Sequence, residues 1–354
     1  RGETFVTKKI TKALCRIKNK TLDYIAVCFL FFSIFLSIDI FYQYLTGRDF
    51  FGFAPGICSY PNGSYLIDPR SCERFSGFFA SELIAGNFLS TYGIFSLFIF
   101  ISKFENLKYS QIFSSVCFII IIFAVILSGE RNAILSLLII FSFNLFFNKK
   151  YRKKLLFIFS FFLIIFSFLF FNVDQIKYRY FTWPIDHISS KESDGIKKIF
   201  DTSWGSHYVT AYEIYKNNKL FGSGFKSFRN ECKKNDYDYK KLNQKFNLNL
   251  KVSGCSSHPH HLYLEVLSEL GIVGFTIFLV VLYFTIFHPF FKNFSLFIRN
   301  KEIIILLSIV LTFIFPLKPT GSFSASVFST NMWFFIGFYL YFIRELNYKK
   351  KIKK

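Results

Sequence analysis

Charged side chains are nearly absent from the centres of the long apolar runs in this sequence. That absence argues against an ion-coupled transporter, which usually buries acids or bases near mid-membrane. Acids are scarce overall: 22 Asp and Glu face 43 Lys and Arg, for a net charge of +21. A nucleic-acid partner is not implied, because the basic residues fall in short clusters between apolar runs, which is how orientation is encoded in membranes. The chain begins with Arg1 rather than Met and shows no cleavable signal peptide, so residues upstream of Arg1 are expected.

What is abundant is apolar surface. Hydrophobic residues make up 52% of the chain, 54 of them Phe, too much for an ordinary soluble domain. Runs such as Leu22–Ile38 and Leu155–Phe171 approach the length needed to cross a hydrocarbon core of about 30 Å. Phe richness itself carries no functional weight, since coding bias can produce it. The expected fold is all-α, a polytopic helical membrane protein of about eight spans: 22–42, 83–101, 112–127, 133–147, 155–171, 262–287, 303–315 and 327–343. Three parts follow: an N-terminal bundle over 1–171 with a short outer loop at 47–80, a polar loop domain over 172–261, and C-terminal helices over 262–354. An even number of spans puts both termini on one side. The basic clusters at 1–20, 148–154 and 344–354 then share that side, which makes it cytoplasmic and the long loop external.

Cysteine placement is an independent check. Cys58 and Cys72 share one expected outer loop, and Cys232 and Cys255 share the other, whereas Cys15, Cys28 and Cys117 stand singly in the cytoplasmic tail or in spans. Pairing outside and isolation elsewhere is what an oxidising exterior produces, so Cys58–Cys72 and Cys232–Cys255 disulfides are expected.

The chemistry concentrates in Gly254-Cys255-Ser256-Ser257-His258-Pro259-His260-His261-Leu262-Tyr263-Leu264-Glu265, where half of the six histidines lie within four positions. Neutral imidazole can take a proton near neutral pH, which suits it to activate a hydroxyl nucleophile. Two other readings stay open: His258-Pro259-His260 as a polar N-terminal cap on the following span, or a zinc site from His258, His260 and His261. Asp39, Glu82, Arg131, Glu265 and Glu269 also fall toward the outer ends of spans. Arg74 stands before the second span, Arg131 opens the fourth, and Arg229 lies in the long loop. Guanidinium forks grip phosphate, so the three would suit a lipid-linked diphosphate; interfacial snorkelling and local ion pairs are the alternatives. Gly222-Ser223-Gly224 reads as a plain turn or an anion nest. Residues 204–218 form a candidate interfacial amphipathic helix that would bring His207 and Tyr208 near the site.

These stretches, in this order, resemble the bacterial O-antigen ligase/O-antigen polymerase family. The likeness rests on Arg74-Phe75-Ser76-Gly77 with Glu82 and Gly86, on Ser128-Gly129-Glu130-Arg131, on Ser206-His207 through Gly222-Ser223-Gly224 to Arg229 and Cys232, and on Pro319-Thr320-Gly321-Ser322-Phe323. Cys255-Ser256-Ser257-His258-Pro259-His260 with Tyr263, Glu269, Gly271 and Gly274 is the most specific part. The resemblance implies a metal-independent, GT-C-like glycosyltransferase of the inner membrane that needs no cofactor. Its donor would be an undecaprenyl-diphosphate-linked glycan on the periplasmic face, and its acceptor a lipid A–core sugar for a ligase or a growing glycan for a polymerase. Carried over by position, His260 is the base with His258 beside it, Arg131 and Arg229 meet the diphosphate with Arg74 as a third contact, and His207 and Glu82 join the substrate-binding set. The family usually has Asn where His261 stands, and its members usually carry further spans upstream.

Overall fold

The computed structural model describes residues 5–55, 74–80, 82–104, 109–149, 152–182, 184–185, 202–250 and 252–352. The Cys58–Cys72 pair therefore lies outside the described residues. Among those described, all regular structure is helical. Four helices are long and apolar enough to cross a membrane: 24–46, 110–127, 155–172 and 262–292. The other four expected spans are helical as well. The chain is a polytopic helical membrane protein, and it divides into two compact units, Arg1–Phe141 with Lys153–Arg179, and Ser142–Arg152 with Tyr180–Lys354.

In the first unit, α1 (Phe5–Thr46) packs on α3 (Ile94–Lys103), α4 (Ser110–Leu127) and the π-turn Leu89–Gly93 that joins α2 (Ala85–Phe88) to α3. Two buried polar groups on α1 are spent on neighbouring loops. Asp39 accepts the amide of Phe50 at 2.8 Å, and Gln43 accepts that of Gly77 at 3.0 Å. Gly77 has φ +54, and a Cβ there would sit 2.7 Å from an Asp39 carboxylate oxygen, so the loop can lie this close only as glycine. The next helices are α5 (Arg131–Phe147) and α6 (Arg152–Asn172).

The second unit holds α7 (Ser203–Asn217), α8 (Phe228–Glu231), α9 (Tyr239–Phe246), α10 (Leu262–Leu282), α11 (Lys301–Ile314) and α12 (Ser326–Ile352). Thr202 caps α7 by accepting the Gly205 amide at 3.1 Å. Ala211, Ile214, Phe228, Cys232 and Tyr237 form a small core, with Cys255 and Leu264 packed against it. The polar loop is thus a folded platform seated on α10, and α11 packs along α12.

α10 is not continuous. Gly271 sits at φ 65, ψ −169, a conformation open essentially only to glycine, and the helix breaks there. Backbone groups freed by the break are taken by the segment 219–224: Ser223 and Gly224 donate to the carbonyls of Ser268 and Glu269, while Ile272 and Val273 donate to those of Lys219 and Leu220. A break inside an apolar helix is tolerated when protein satisfies the freed groups in this way. The amides of Gly222, Ser223 and Gly224 are all engaged, so the anion-nest reading of Gly222-Ser223-Gly224 is set aside. The segment is a strap across a broken helix.

Candidate active site at the histidine loop

The path of the loop follows from where its ends are tied. A Cys232–Cys255 disulfide, with Cα atoms 5.1 Å apart, fixes the start of the histidine stretch to the end of α8, the pair expected from two cysteines sharing one loop. Thr320 donates its amide to the carbonyl of His260 at 2.9 Å, which ties the stretch to the loop after α11. That loop is held in turn by Glu265, whose buried carboxylate accepts the Phe323 amide at 2.8 Å and the Ser322 hydroxyl. One turn further along α10, the buried Glu269 accepts the amides of Lys226 at 2.8 Å and Phe228 at 3.2 Å. The two carboxylates therefore act as clamps for two loops. Their hydrogen-bonding capacity goes to backbone amides and, for Glu265, serine hydroxyls, which accounts for buried acids in an apolar helix.

Three imidazoles meet above this base. The His260 ring lies 4.0 Å from the His258 ring and 5.3 Å from the His207 ring, centroid to centroid, and Trp204 stands edge-on to it at 4.6 Å. His260 holds a left-handed backbone, φ 55, uncommon for a residue with a Cβ. Nδ1 of His207 donates to the Gly254 carbonyl at 2.8 Å, which leaves the lone pair of the neutral ring on Nε2. His258 places Nδ1 2.9 Å from the Ser257 hydroxyl. His260 makes no side-chain hydrogen bond to the described residues; burial, then the neighbouring His258 and His207, push its pKa down to about 3. Burial also lowers the pKa of His258, against the opposing charge of Glu265. His258 and His260 are therefore neutral at pH 7.

His261 does something else. Its Nδ1 accepts the Leu264 amide at 3.3 Å and its Nε2 donates to the Pro316 carbonyl at 2.9 Å. Both ring nitrogens are spent, so His261 is the cap of α10, and the cap reading made for His258 and His260 belongs to their neighbour. Among the described residues no group of three or more His, Cys, Asp or Glu side chains is arranged to hold a metal ion, which leaves the zinc reading without a ligand set.

Arg229 is exposed on α8, and its charge reaches both His258 and Glu269. Trp204 was not singled out as a site residue by the sequence, although it opens the helix that carries His207. In the first unit, two further stretches of the resemblance come together. Glu130 accepts the amides of Gly86 at 2.7 Å and Asn87 at 3.2 Å, and the charge of Arg74 acts on it. A Cβ on Gly86 would lie 2.3 Å from the Ser128 hydroxyl, so Gly86 is what lets the Ser128-Gly129-Glu130-Arg131 turn approach. Burial raises the Glu130 carboxyl to about 7, despite those amides and Arg74. Arg131 is half-buried at the start of α5, and Glu82 is exposed.

Fold and site together define a helical membrane protein that carries a clamped, disulfide-tied imidazole cluster on a polar loop. Residues 116–279 match the family model described as O-Antigen ligase. That segment is similar to the O-antigen ligase/polymerase family, whose members are membrane glycosyltransferase-like enzymes. No curated protein and no solved structure matches the chain.

Proposed function

We propose that this protein transfers a glycan from an undecaprenyl-diphosphate donor to a hydroxyl acceptor at the periplasmic face of the inner membrane, as an O-antigen ligase, with polymerisation of the same glycan as the alternative within the family. The observation that carries the reading is the imidazole cluster: one ring, His260, sits in a left-handed backbone position beside two others, with ring nitrogens uncommitted to the fold. In the reaction the acceptor oxygen attacks the anomeric carbon. The bond from that carbon to the diphosphate oxygen breaks, the diphosphate leaves with the electron pair, and the acceptor's proton passes to the imidazole.

A ring of pKa about 3 is a weak base by itself. An anionic diphosphate bound nearby raises it, because negative charge favours imidazolium. Arg229 is the guanidinium of the second unit suited to the diphosphate, and its exposure leaves it free to turn toward a ligand. Arg131 and Arg74 are assigned to the same group, and His207 and Glu82 to substrate binding, on the motif resemblance. A lipid A–core sugar would be the acceptor of a ligase and a further repeat unit that of a polymerase. Both termini are assigned to the cytoplasm on the placement of the basic clusters.

Glycan profiling of cells lacking the protein tests the proposal. Loss of polymer from the lipid-linked intermediates identifies a polymerase, and accumulation of unattached polymer identifies a ligase. Complementation by His260→Ala at the wild-type level would remove His260 from the mechanism. A translocation defect with transfer intact would instead assign the chain to lipid or solute transport.

A further inference from the structure

The strap across the break in α10 has a second face. Leu220, Phe221 and Phe225 are 62%, 74% and 63% exposed, the Phe pair flanking Gly222-Ser223-Gly224. Exposed Lys219 and Lys226 bracket the segment, giving Lys219-Leu220-Phe221-Gly222-Ser223-Gly224-Phe225-Lys226. Three large apolar side chains held outward at the tip of a polar domain are costly in water, and the strap's own backbone is fixed by α10, so they cannot turn inward.

The helix beneath shows what covers them. The apolar segment 262–292 has 31 residues, about 46 Å at 1.5 Å per residue, well beyond the roughly 30 Å of a hydrocarbon core. Its exposure changes at the break. From Leu262 to Gly271 no large hydrophobic side chain is exposed, whereas Ile272, Val273, Ile277 and Val280 are. Residues 272–292 span about 31 Å, which matches the core by themselves. An outward-facing apolar stretch of core length therefore begins at Gly271, and we infer that the bilayer boundary falls there. His261 stands ten residues beyond it, about 15 Å along the helix. The strap is hydrogen-bonded to the residues on either side of that boundary.

We propose that residues 219–226 form an interfacial anchor, with Leu220, Phe221 and Phe225 seated at the boundary of headgroups and acyl chains and Lys219 and Lys226 reaching the lipid phosphates. The partner is the bilayer surface. Leu and Phe side chains bury at that boundary, and lysine stems snorkel from it to the headgroups. The anchor holds the imidazole platform at a set height above the membrane. This geometry stands whether or not the transfer chemistry proposed above is right.

The test uses the full chain in lipid nanodiscs, one chain per disc, with Phe221→Trp compared to the parent and Phe225→Trp as a second variant. An intact Cys232–Cys255 disulfide and monodisperse elution show that each variant is folded. The added tryptophan emission is expected to shift to the blue, to lose intensity in lipids brominated near the headgroup end of the acyl chain, and to resist aqueous iodide. Emission quenched by iodide and untouched by brominated lipid overturns the proposal. Shielding that appears only when two chains share a disc overturns it too, in favour of a contact between copies.

Discussion

Replacing Gly271 by Ala tests the geometry on which both the platform and the strap depend. The backbone there, φ 65 and ψ −169, costs a residue with a side chain about 1–3 kcal/mol. The new methyl would stand 2.3 Å from the Leu220 carbonyl oxygen and 2.5 Å from the Gly222 nitrogen, and overpacking against fixed backbone adds about 1–3 kcal/mol. A central sum of about 4 kcal/mol corresponds to roughly a thousandfold in the local opening equilibrium. Amide hydrogen exchange reads this directly, because the amides of Ser223 and Gly224 are protected by the Ser268 and Glu269 carbonyls. Their protection should fall by about that factor, while the buried amides of α11 keep theirs. Gly337→Ala is the control: nothing lies within 4 Å of a Cβ there, and Ala suits a helix interior, so stability should hold or rise by up to about 1 kcal/mol. Unchanged protection at Ser223 and Gly224 in Gly271→Ala would refute the strap.

Other predictions concern charge and covalent ties. Burial keeps His258, His260 and His261 below their ordinary pKa of 6.5, so the unfolded chain takes up protons first. Stability of the second unit should fall as pH drops from about 6.5 toward about 3, and His260→Phe should flatten that slope in a melting series. Glu130 behaves oppositely: with its pKa raised to about 7, the folded state holds a proton that the unfolded chain has lost, so its contribution falls as pH rises from 4.5 to about 7 and is constant above. Glu130→Ala leaves the Gly86 and Asn87 amides and the Asn87 side-chain amide unpaired, at about 1–3 kcal/mol for each buried donor, measurable as a lower denaturation midpoint. Reducing the Cys232–Cys255 bond, which closes a separation of 23 residues, should cost the loop about 3 kcal/mol, with Cys232→Ser and Cys255→Ser insensitive to reductant.

The membrane class was legible because apolar runs of span length seldom occur in chains that fold in water, and the Cys232–Cys255 pair because both cysteines fall in one long polar loop. The break at Gly271 was not legible. Apolar character runs unbroken through it, and a lone glycine in such a run looks like any helix glycine until the approaching strap is known. The strap was hidden for the same reason, since Gly-x-Gly has one appearance whether its amides meet an anion or a broken helix. Glu265 and Glu269 looked like site groups because buried charge in an apolar helix marks function by default; their partners turned out to be amides of loops 43 and 58 residues distant in sequence. Among the three neighbouring histidines, sequence offered no way to separate the cap from the cluster. His261 caps because its backbone is extended, φ −149, whereas His260 turns into the left-handed region and carries its ring back over His258.

The most direct measurement of the central claim is transfer by purified protein in proteoliposomes, supplied with a diphosphate-lipid-linked glycan and a hydroxyl acceptor. His260→Ala should lose about 10²–10⁴-fold in rate with its disulfide and melting behaviour intact, the range for a lost general base. A His260→Ala enzyme that transfers at the wild-type rate would contradict it.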